Sequence, residues 1–503
     1  MRRMNKDLYD FFSLTFGRSI SFVLILINTA LIGRILGPQG FGQWSMIVAA
    51  ATLMHSILLN WTHAANLRFG CEEWTRSKSL SMTYSSRIPL ILSGFLLSII
   101  LLKIQPMDWL YRFFSVDKNF WWVVLFYTGS IWLTFEARTT LQATGNINKI
   151  AVNMPIVSSI SSGFLLTLYV MSQSGSRDLL LIVIGLAVIS GIVWGSALIR
   201  VLIYGIPKWR WPTFQGVMQH VRFAWPLLPT FVVGYVSDWG DYIILQSYTS
   251  IYELGLFSSA YQTMLGLLTL SGALTTIILP RLIAKNAETE EAASFYLENV
   301  IPTMFCLWSL FIIGIITVLP TVFILIMGEP FRNSLPILLM LCVTIPTSVI
   351  GALYSPLFNL QKRLQVSFIY STLIALINVG ISIFLIPRIG VIGAAIGTIV
   401  SYGIGHLLYI FDQHYYVGVP FLKMSILFAL NIFIGVGQVV MGPELLFRIL
   451  WLVVSMILLF IVFRQFKIIN PDLLYVIFSG RLYPIGLFLS RALVPNTSKS
   501  TKC

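Results

Sequence analysis

Runs of about twenty residues with scarcely a charge follow one another along the chain, parted by short polar gaps. A hydrocarbon layer ~30 Å thick is crossed by about 20 apolar residues of helix rising 1.5 Å each. The pattern therefore predicts an all-α polytopic membrane protein of about fourteen spans, near 12–35, 41–63, 87–105, 119–142, 150–171, 179–203, 223–246, 254–279, 299–327, 334–358, 366–387, 391–411, 421–441 and 446–463. Two of the interruptions are alike: "GRILGPQGFGQWS" (Gly33 to Ser45) and the fainter "SIYELGLFS" (Ser250 to Ser258).

Sliding the chain by 213 residues lays Phe41-Gly42-Gln43-Trp44-Ser45 over Leu254-Gly255-Leu256-Phe257-Ser258, Ile88-Pro89 over Ile301-Pro302, and Asn28 over Asp241. Further on the offset drifts to about 216, where "LQATGNINKIA" (Leu141 to Ala151) meets "LFNLQKRLQVS" (Leu357 to Ser367). The order and spacing of these matches predict two six-helix bundles, 1–203 and 223–415, joined by a cytoplasmic linker at 204–222. Two extra helices within 416–463 and a tail at 464–503 complete the chain. Because six is even, both halves enter the membrane from the same side, which makes a parallel repeat with a pseudo-twofold axis along the membrane normal. Two such bundles are expected to rock about a central cavity.

Within the first hairpin, which includes Arg34, the pair Gly37 and Pro38 ends one helix and glycine supplies the turn. Phe41 and Trp44, flanking Gly42, are expected to anchor the next helix at the outer interface. Prolines at Pro89, Pro155, Pro226, Pro229, Pro302, Pro346 and Pro356 fall inside predicted spans, where each removes a backbone hydrogen bond and permits a kink.

Composition agrees: of 503 residues 57% are hydrophobic and 10% charged, which excludes a soluble globular chain. The net charge of +14 is spread over many short loops, so a membrane explains it better than nucleic acid does. With both termini in the cytoplasm, 24 of the 33 lysines and arginines fall on that side, as the positive-inside rule demands. The first apolar run follows a basic start but is too long for a signal peptide and lacks a small-residue cleavage site, so it reads as a retained span. Cys71, Cys306, Cys342 and Cys503 have no paired spacing and suit neither a metal site nor a disulfide framework. No nucleotide-binding loop is present, which argues against direct coupling to ATP, and no cofactor is expected.

Several segments resemble a known family: "RILGPQGFGQWS", "FAWPLLPT" entering the seventh span, "SDWGDYIIL" later in it, "YELGLFSSAY" after it, and "PRIGVIGAAIGT" before the twelfth. They are similar to the Wzx-type polysaccharide-biosynthesis flippases, members of the superfamily that also holds the multidrug and toxin extruders and the peptidoglycan-precursor flippase MurJ. The resemblance implies a bacterial inner-membrane protein that carries an undecaprenyl-pyrophosphate-linked oligosaccharide from the cytoplasmic to the periplasmic leaflet for surface polysaccharide or O-antigen synthesis. Membrane lipids and glycan polymerases or glycosyltransferases are then the expected partners.

An ionisable group inside a span costs roughly 2.5 to 3.5 kcal/mol on insertion scales, so each such residue is a candidate. Arg18 either meets the pyrophosphate or snorkels to the cytoplasmic headgroups. Asp238 and Asp241, three residues apart on one helical face, either bind a coupling proton or sodium ion or pair structurally, with Arg34 for instance; the resemblance makes Asp241 a recurring position. His55 is either a proton relay or a satisfied core histidine. Asn28 and Asn378 either contact sugar hydroxyls or hold helices together. Arg138 and Lys149, with Glu136 close by, either ring the inward entrance or serve topology, and Arg68, Arg87, Arg222 and Arg281 are read in the same way as loop cations. Gly393 to Gly397 is a small-residue pattern for close helix packing.

The linker "YGIPKWRWPTFQGVMQHVR" interleaves Trp209 and Trp211 with Lys208 and Arg210, which places it in the membrane interface. The tail, broken by Gly480 and Pro484 and ending in a segment with Lys499 and Lys502, is expected to be interfacial and then disordered. A drug or cation antiporter is the competing reading within the same fold. A membrane-embedded glycan-assembly enzyme is less favoured, because the longest outer loop, near 105–118, offers only Asp108 and Asp117 as acids and no histidine. A non-transporting scaffold for glycan assembly is a further alternative.

Overall fold

A computed structural model describes residues 2–103, 121–172, 179–286, 295–361, 363–417, 421–471, 473, 474 and 487. Within these, side chains at 2–16, 18, 19, 22, 269, 272–286, 356, 359, 360 and 364 are not described. The outer loop with Asp108 and Asp117, the side chains of Arg18 and Arg281, and the tail with Gly480, Pro484, Lys499 and Lys502 thus lie outside the described residues.

Every regular element among the described residues is helical. The order is α1 (Arg2–Leu58), α2 (Asn60–Ser77), α3 (Ser81–Lys103), α4 (Trp121–Ala143), α5 (Ile147–Ser172), α6 (Leu179–Gly205), α7 (Phe214–Ala224), α8 (Leu228–Tyr248), α9 (Ile251–Asn286), α10 (Ile301–Met327), α11 (Leu335–Leu341), α12 (Ser348–Leu360), α13 (Leu364–Ile389), α14 (Val391–Val417), α15 (Phe421–Val440) and α16 (Leu445–Gln465). Nine helices among the described residues are long and apolar enough to cross a membrane. The chain is a multi-pass membrane protein. Fourteen spans were expected, and α4 and α8 are of similar length to the nine but carry Glu136 with Arg138, and Asp238 with Asp241.

The helix ends follow from local chemistry. Helix α1 is broken at Gly37, whose φ of 66° is strained for any residue with a Cβ, and Pro38 starts the second piece where its missing N–H is no loss. The polar helix α2 ends at Lys78 in the left-handed region. Glu73 then caps α3: its carboxylate accepts from the amides of Met82 (3.0 Å) and Thr83 (2.8 Å) and from the Thr83 hydroxyl. Thr213 caps α7 by accepting from the Gly216 amide.

The proline and aromatic expectations need correction at four residues. Pro226 lies in a 3₁₀ turn at Trp225–Leu227 and Pro229 in the first turn of α8, where no hydrogen bond is lost. Pro346 lies in an irregular stretch that splits the expected span 334–358 into α11 and α12. Phe41 does not anchor an interface. It is fully buried, edge-on to Phe331 at 5.9 Å.

Packing divides the chain into two compact units. The first takes in Met1–Gly266, Ile326–Phe331 and Ala375–Ala394. One of its cores gathers Leu80, Tyr84, Ala137, Leu141, Trp194 and Leu198. The second takes in Leu267–Leu325, Arg332–Ile374 and Ala395–Cys503. Its broken helix is stitched from neighbours: Trp308 Nε1 donates to the Ile345 carbonyl (3.3 Å), and His406 Nδ1 lies 3.1 Å from Thr347 Oγ1. Non-helical backbone at membrane depth survives only when protein groups take up its free carbonyls in this way. Arg448 is fully buried here, donating to Gln438 Oε1 (3.1 Å) and to the Ile316 carbonyl. Outward faces of α15 and α16 expose Phe433, Val440, Leu446, Leu450 and Ile457, as lipid contact requires.

Candidate functional site

Two polar contacts of the first unit repeat each other. Asn28 of α1 donates from Nδ2 to the Ser158 carbonyl (3.2 Å) and accepts at Oδ1 from Ser162 Oγ (2.6 Å), which joins α1 to α5. Asp241 of α8 accepts from Ser382 Oγ at Oδ1 (2.7 Å) and from Asn378 Nδ2 at Oδ2 (3.1 Å), which joins α8 to α13. Asp241 stands 213 residues after Asn28, and Asn378 stands 216 after Ser162, the two offsets at which the sequence repeats. One helix-pair contact is thus built twice, once with a neutral hub and once with a carboxylate. Asp241, Asn378 and Ser382 are all buried, and Asn378 Oδ1 has no hydrogen-bond partner. Neighbouring Asp238 is exposed and takes no part in this cluster. The helical spacing put both aspartates on one face, but only Asp241 faces α13.

A second cluster surrounds Glu136, fully buried on α4. Arg87 of α3 grips it with two hydrogen bonds, Nη1 to Oε1 (2.8 Å) and Nη2 to Oε2 (2.7 Å), while its Nε donates to the Thr62 carbonyl (3.0 Å). His63 donates from Nδ1 to Oε2 (3.1 Å) and Asn66 from Nδ2 to Oε1 (3.0 Å). Beyond them His63 Nε2 lies 3.2 Å from His55 Nε2, and Asn66 and Tyr84 both reach Thr140 Oγ1. The cluster ties the end of α1, α2, α3 and α4 together, with the charge of Arg87 neutralised and every carboxylate oxygen occupied. His55 is therefore a hydrogen-bonded member of a buried chain. Arg87 is a correction to the reading of loop cations, since it sits nearly two turns inside α3 and its charge is buried against Glu136.

The remaining candidates are scattered. Arg138 stacks over the Trp194 ring at 4.9 Å, and Lys149 is exposed at the start of α5. Arg34 donates from Nε to the Ile326 carbonyl (2.6 Å) and from Nη1 to Tyr169 (3.4 Å). Gly37 and Pro38 form the break in α1, and Gly42 packs against the Ile251 backbone. Sequence reasoning missed Ser158, Ser162, Ser382 and Thr140, because an isolated serine or threonine in an apolar run carries no signal of its own, and His63 and Asn66, because their partner Glu136 lies 73 and 70 residues away. No group of three or more His, Cys, Asp or Glu able to hold a metal occurs among the described residues.

The model of a family described as polysaccharide biosynthesis protein matches residues 8–282. Among solved structures the chain is similar to the lipid II flippase MurJ in an inward closed conformation, at 16% identity and a TM-score of 0.67, covering 92% of this chain and 100% of that one. It is similar to an inward-facing multidrug resistance MATE family transporter of the MOP superfamily, at 15% identity and a TM-score of 0.54, over 79% of this chain and 94% of that one. A third likeness is to the eukaryotic MATE transporter AtDTX14, at 14% identity and a TM-score of 0.50, over 86% of this chain and 99% of that one. At these identities the likeness establishes a shared fold. No curated protein matches the sequence. The family match spans more than half of the 503 residues, and the chain belongs to the polysaccharide biosynthesis protein family.

Proposed function

We propose that the protein is a flippase that carries an undecaprenyl-pyrophosphate-linked oligosaccharide from the cytoplasmic to the periplasmic leaflet of a bacterial inner membrane, by alternating access, with both termini in the cytoplasm. The observation that carries this reading is a coincidence in one chain: membership of a polysaccharide-biosynthesis family and the fold of a flippase for another lipid-linked precursor. Arg18 meets the pyrophosphate in this reading. Asp241 is the coupling residue: its carboxylate, the Asn378 carboxamide oxygen and the Ser382 hydroxyl together offer the oxygen ligands that a sodium ion takes, and the same carboxylate can hold a proton.

The test is complementation of a strain lacking this protein. Arg18→Ala is expected to abolish surface glycan with normal membrane insertion, while lipid-linked units accumulate on the cytoplasmic side. Normal glycan with that variant removes Arg18 from the mechanism. Unchanged glycan in the deletion strain, together with new sensitivity to cationic drugs, replaces the flippase by an antiporter.

A further inference from the structure

We propose that the cleft between α2 and α7 binds the headgroup of an anionic glycerophospholipid. The cleft measures about 720 Å³ and is lined by Arg68 and Phe69 of α2 and by side chains of α7 between Phe214 and Phe223. Pockets of this size take a small ligand.

The two faces of α7 explain why the cleft exists. Gly216, His220 and Ala224 recur every four residues and are buried. His220 packs on the Phe69 ring at 4.5 Å, and Ala224 joins the cluster of Trp61 and Ala65. Gln215, Met218, Gln219 and Arg222 recur at three- and four-residue steps on the other face and stay available along one wall. Arg68 faces them from α2, with its guanidinium over the Phe223 ring at 4.5 Å.

Three features of this wall match one ligand. Two guanidinium groups suit a phosphodiester, since arginine presents paired N–H donors to phosphate oxygens. The amides of Gln215 and Gln219 supply hydrogen bonds to ester and glycerol oxygens. Phe69, Phe214, Phe223 and Met218 supply apolar surface for the glycerol and the first acyl carbons. Arg68 pairs with Glu72 of its own helix at 3.5 Å, and both side chains are about half exposed, a contact weak enough for a phosphate to displace.

The depth of the cleft in the membrane is set by aromatic side chains. Tyr204, Trp211 and Phe214 are 80%, 83% and 82% exposed, and Trp225 also faces outward. Such a belt sits at the headgroup level, and basic pockets there bind anionic lipid. The proposal rests on the flippase reading only for which leaflet α7 faces. A lipid held there would fasten α7, and with it the linker between the repeats, to the membrane surface.

The experiment is native mass spectrometry of the delipidated full-length protein, titrated separately with phosphatidylglycerol, phosphatidylcholine and undecaprenyl pyrophosphate. Phosphatidylglycerol is expected to bind about tenfold more tightly than phosphatidylcholine, and Arg68→Gln/Arg222→Gln to reduce that ratio to about twofold. Arg200→Gln, an exposed cation on α6, is expected to leave it unchanged. The single variant Arg222→Gln, at an exposed position, gives the same direction should the double variant fail to fold. Equal binding of the two glycerophospholipids, or a preference untouched by both arginine variants, overturns the proposal. So does displacement by millimolar inorganic phosphate, which would mark a site for a soluble anion. Preferential binding of undecaprenyl pyrophosphate, lost in the same variants, also overturns it and makes the cleft an entry point for cargo, while a failure of the transport reading leaves the phosphatidylglycerol result standing.

Discussion

Ser45 Oγ and Ser258 Oγ lie 2.5 Å apart, and the residues that carry them are separated by 213 positions, the offset at which the sequence repeats. Their neighbours exchange places in the same way. A Cβ on Gly42 would overlap the carbonyl oxygen of Ile251, and a Cβ on Gly255 would overlap that of Pro38. Pro38 stands 213 before Ile251, as Gly42 does before Gly255. Reciprocal contacts of this kind arise when equivalent surfaces meet about a twofold axis. Glycine is required at both positions because backbone touches backbone, so no side chain is there to yield.

Gly42→Ala and Gly255→Ala are each expected to lower stability by about 1–3 kcal/mol through overpacking. Thermal unfolding in detergent measures it. The two should have similar effects, since each removes one of a symmetric pair of contacts, and a large disparity would show that the local symmetry is only apparent.

Glu136→Gln leaves the buried Arg87 charge without its partner, and the expected loss is about 3–5 kcal/mol. Combining Arg87→Met with Glu136→Leu removes both charges and should recover most of that stability. A denaturant midpoint series on the single and double variants checks the order. Recovery in the double variant with glycan synthesis still lost would give the cluster a role in transport beyond packing.

Asp241→Asn keeps the shape of the α8 to α13 contact while removing its charge. Under the coupling reading, transport loses its dependence on the sodium or proton gradient while the protein remains folded. Asn28→Ala alters the matching neutral contact, and its effect should be confined to stability, at about 0.6 kcal/mol for an average hydrogen bond between membrane helices. Glycan synthesis measured with and without the gradient separates the two.

His220 titrates outside the spanning helices. Burial against Phe69 lowers its pKa, and Arg87 adds to that, while the Gly216 carbonyl and Glu73 oppose it. The unfolded chain takes up a proton as pH falls below about 6.5, whereas the folded imidazole stays neutral, so docking of α7 weakens over that interval. The loss levels off once pH drops below the depressed folded value. Protection factors of the 214–224 amides, taken relative to the intrinsic exchange rate at each pH, should fall on acidification in the parent and less steeply in His220→Gln.

Length and polarity of the apolar runs determined that this chain is helical and crosses a membrane many times, because a backbone in hydrocarbon must satisfy its own hydrogen bonds and a helix does so locally. The offset of 213 was also legible, since the hairpin glycines and the Asn28 to Asp241 match are positional marks. Which polar residues meet was decided only by tertiary structure. Arg87 and Glu136 lie 49 residues apart, Asp241 and Asn378 137 apart, and nothing in either local pattern names the partner. Serines 158, 162 and 382 matter because a facing helix presents an asparagine or an aspartate to them, and the rotation of one helix against another is set by packing along its whole length.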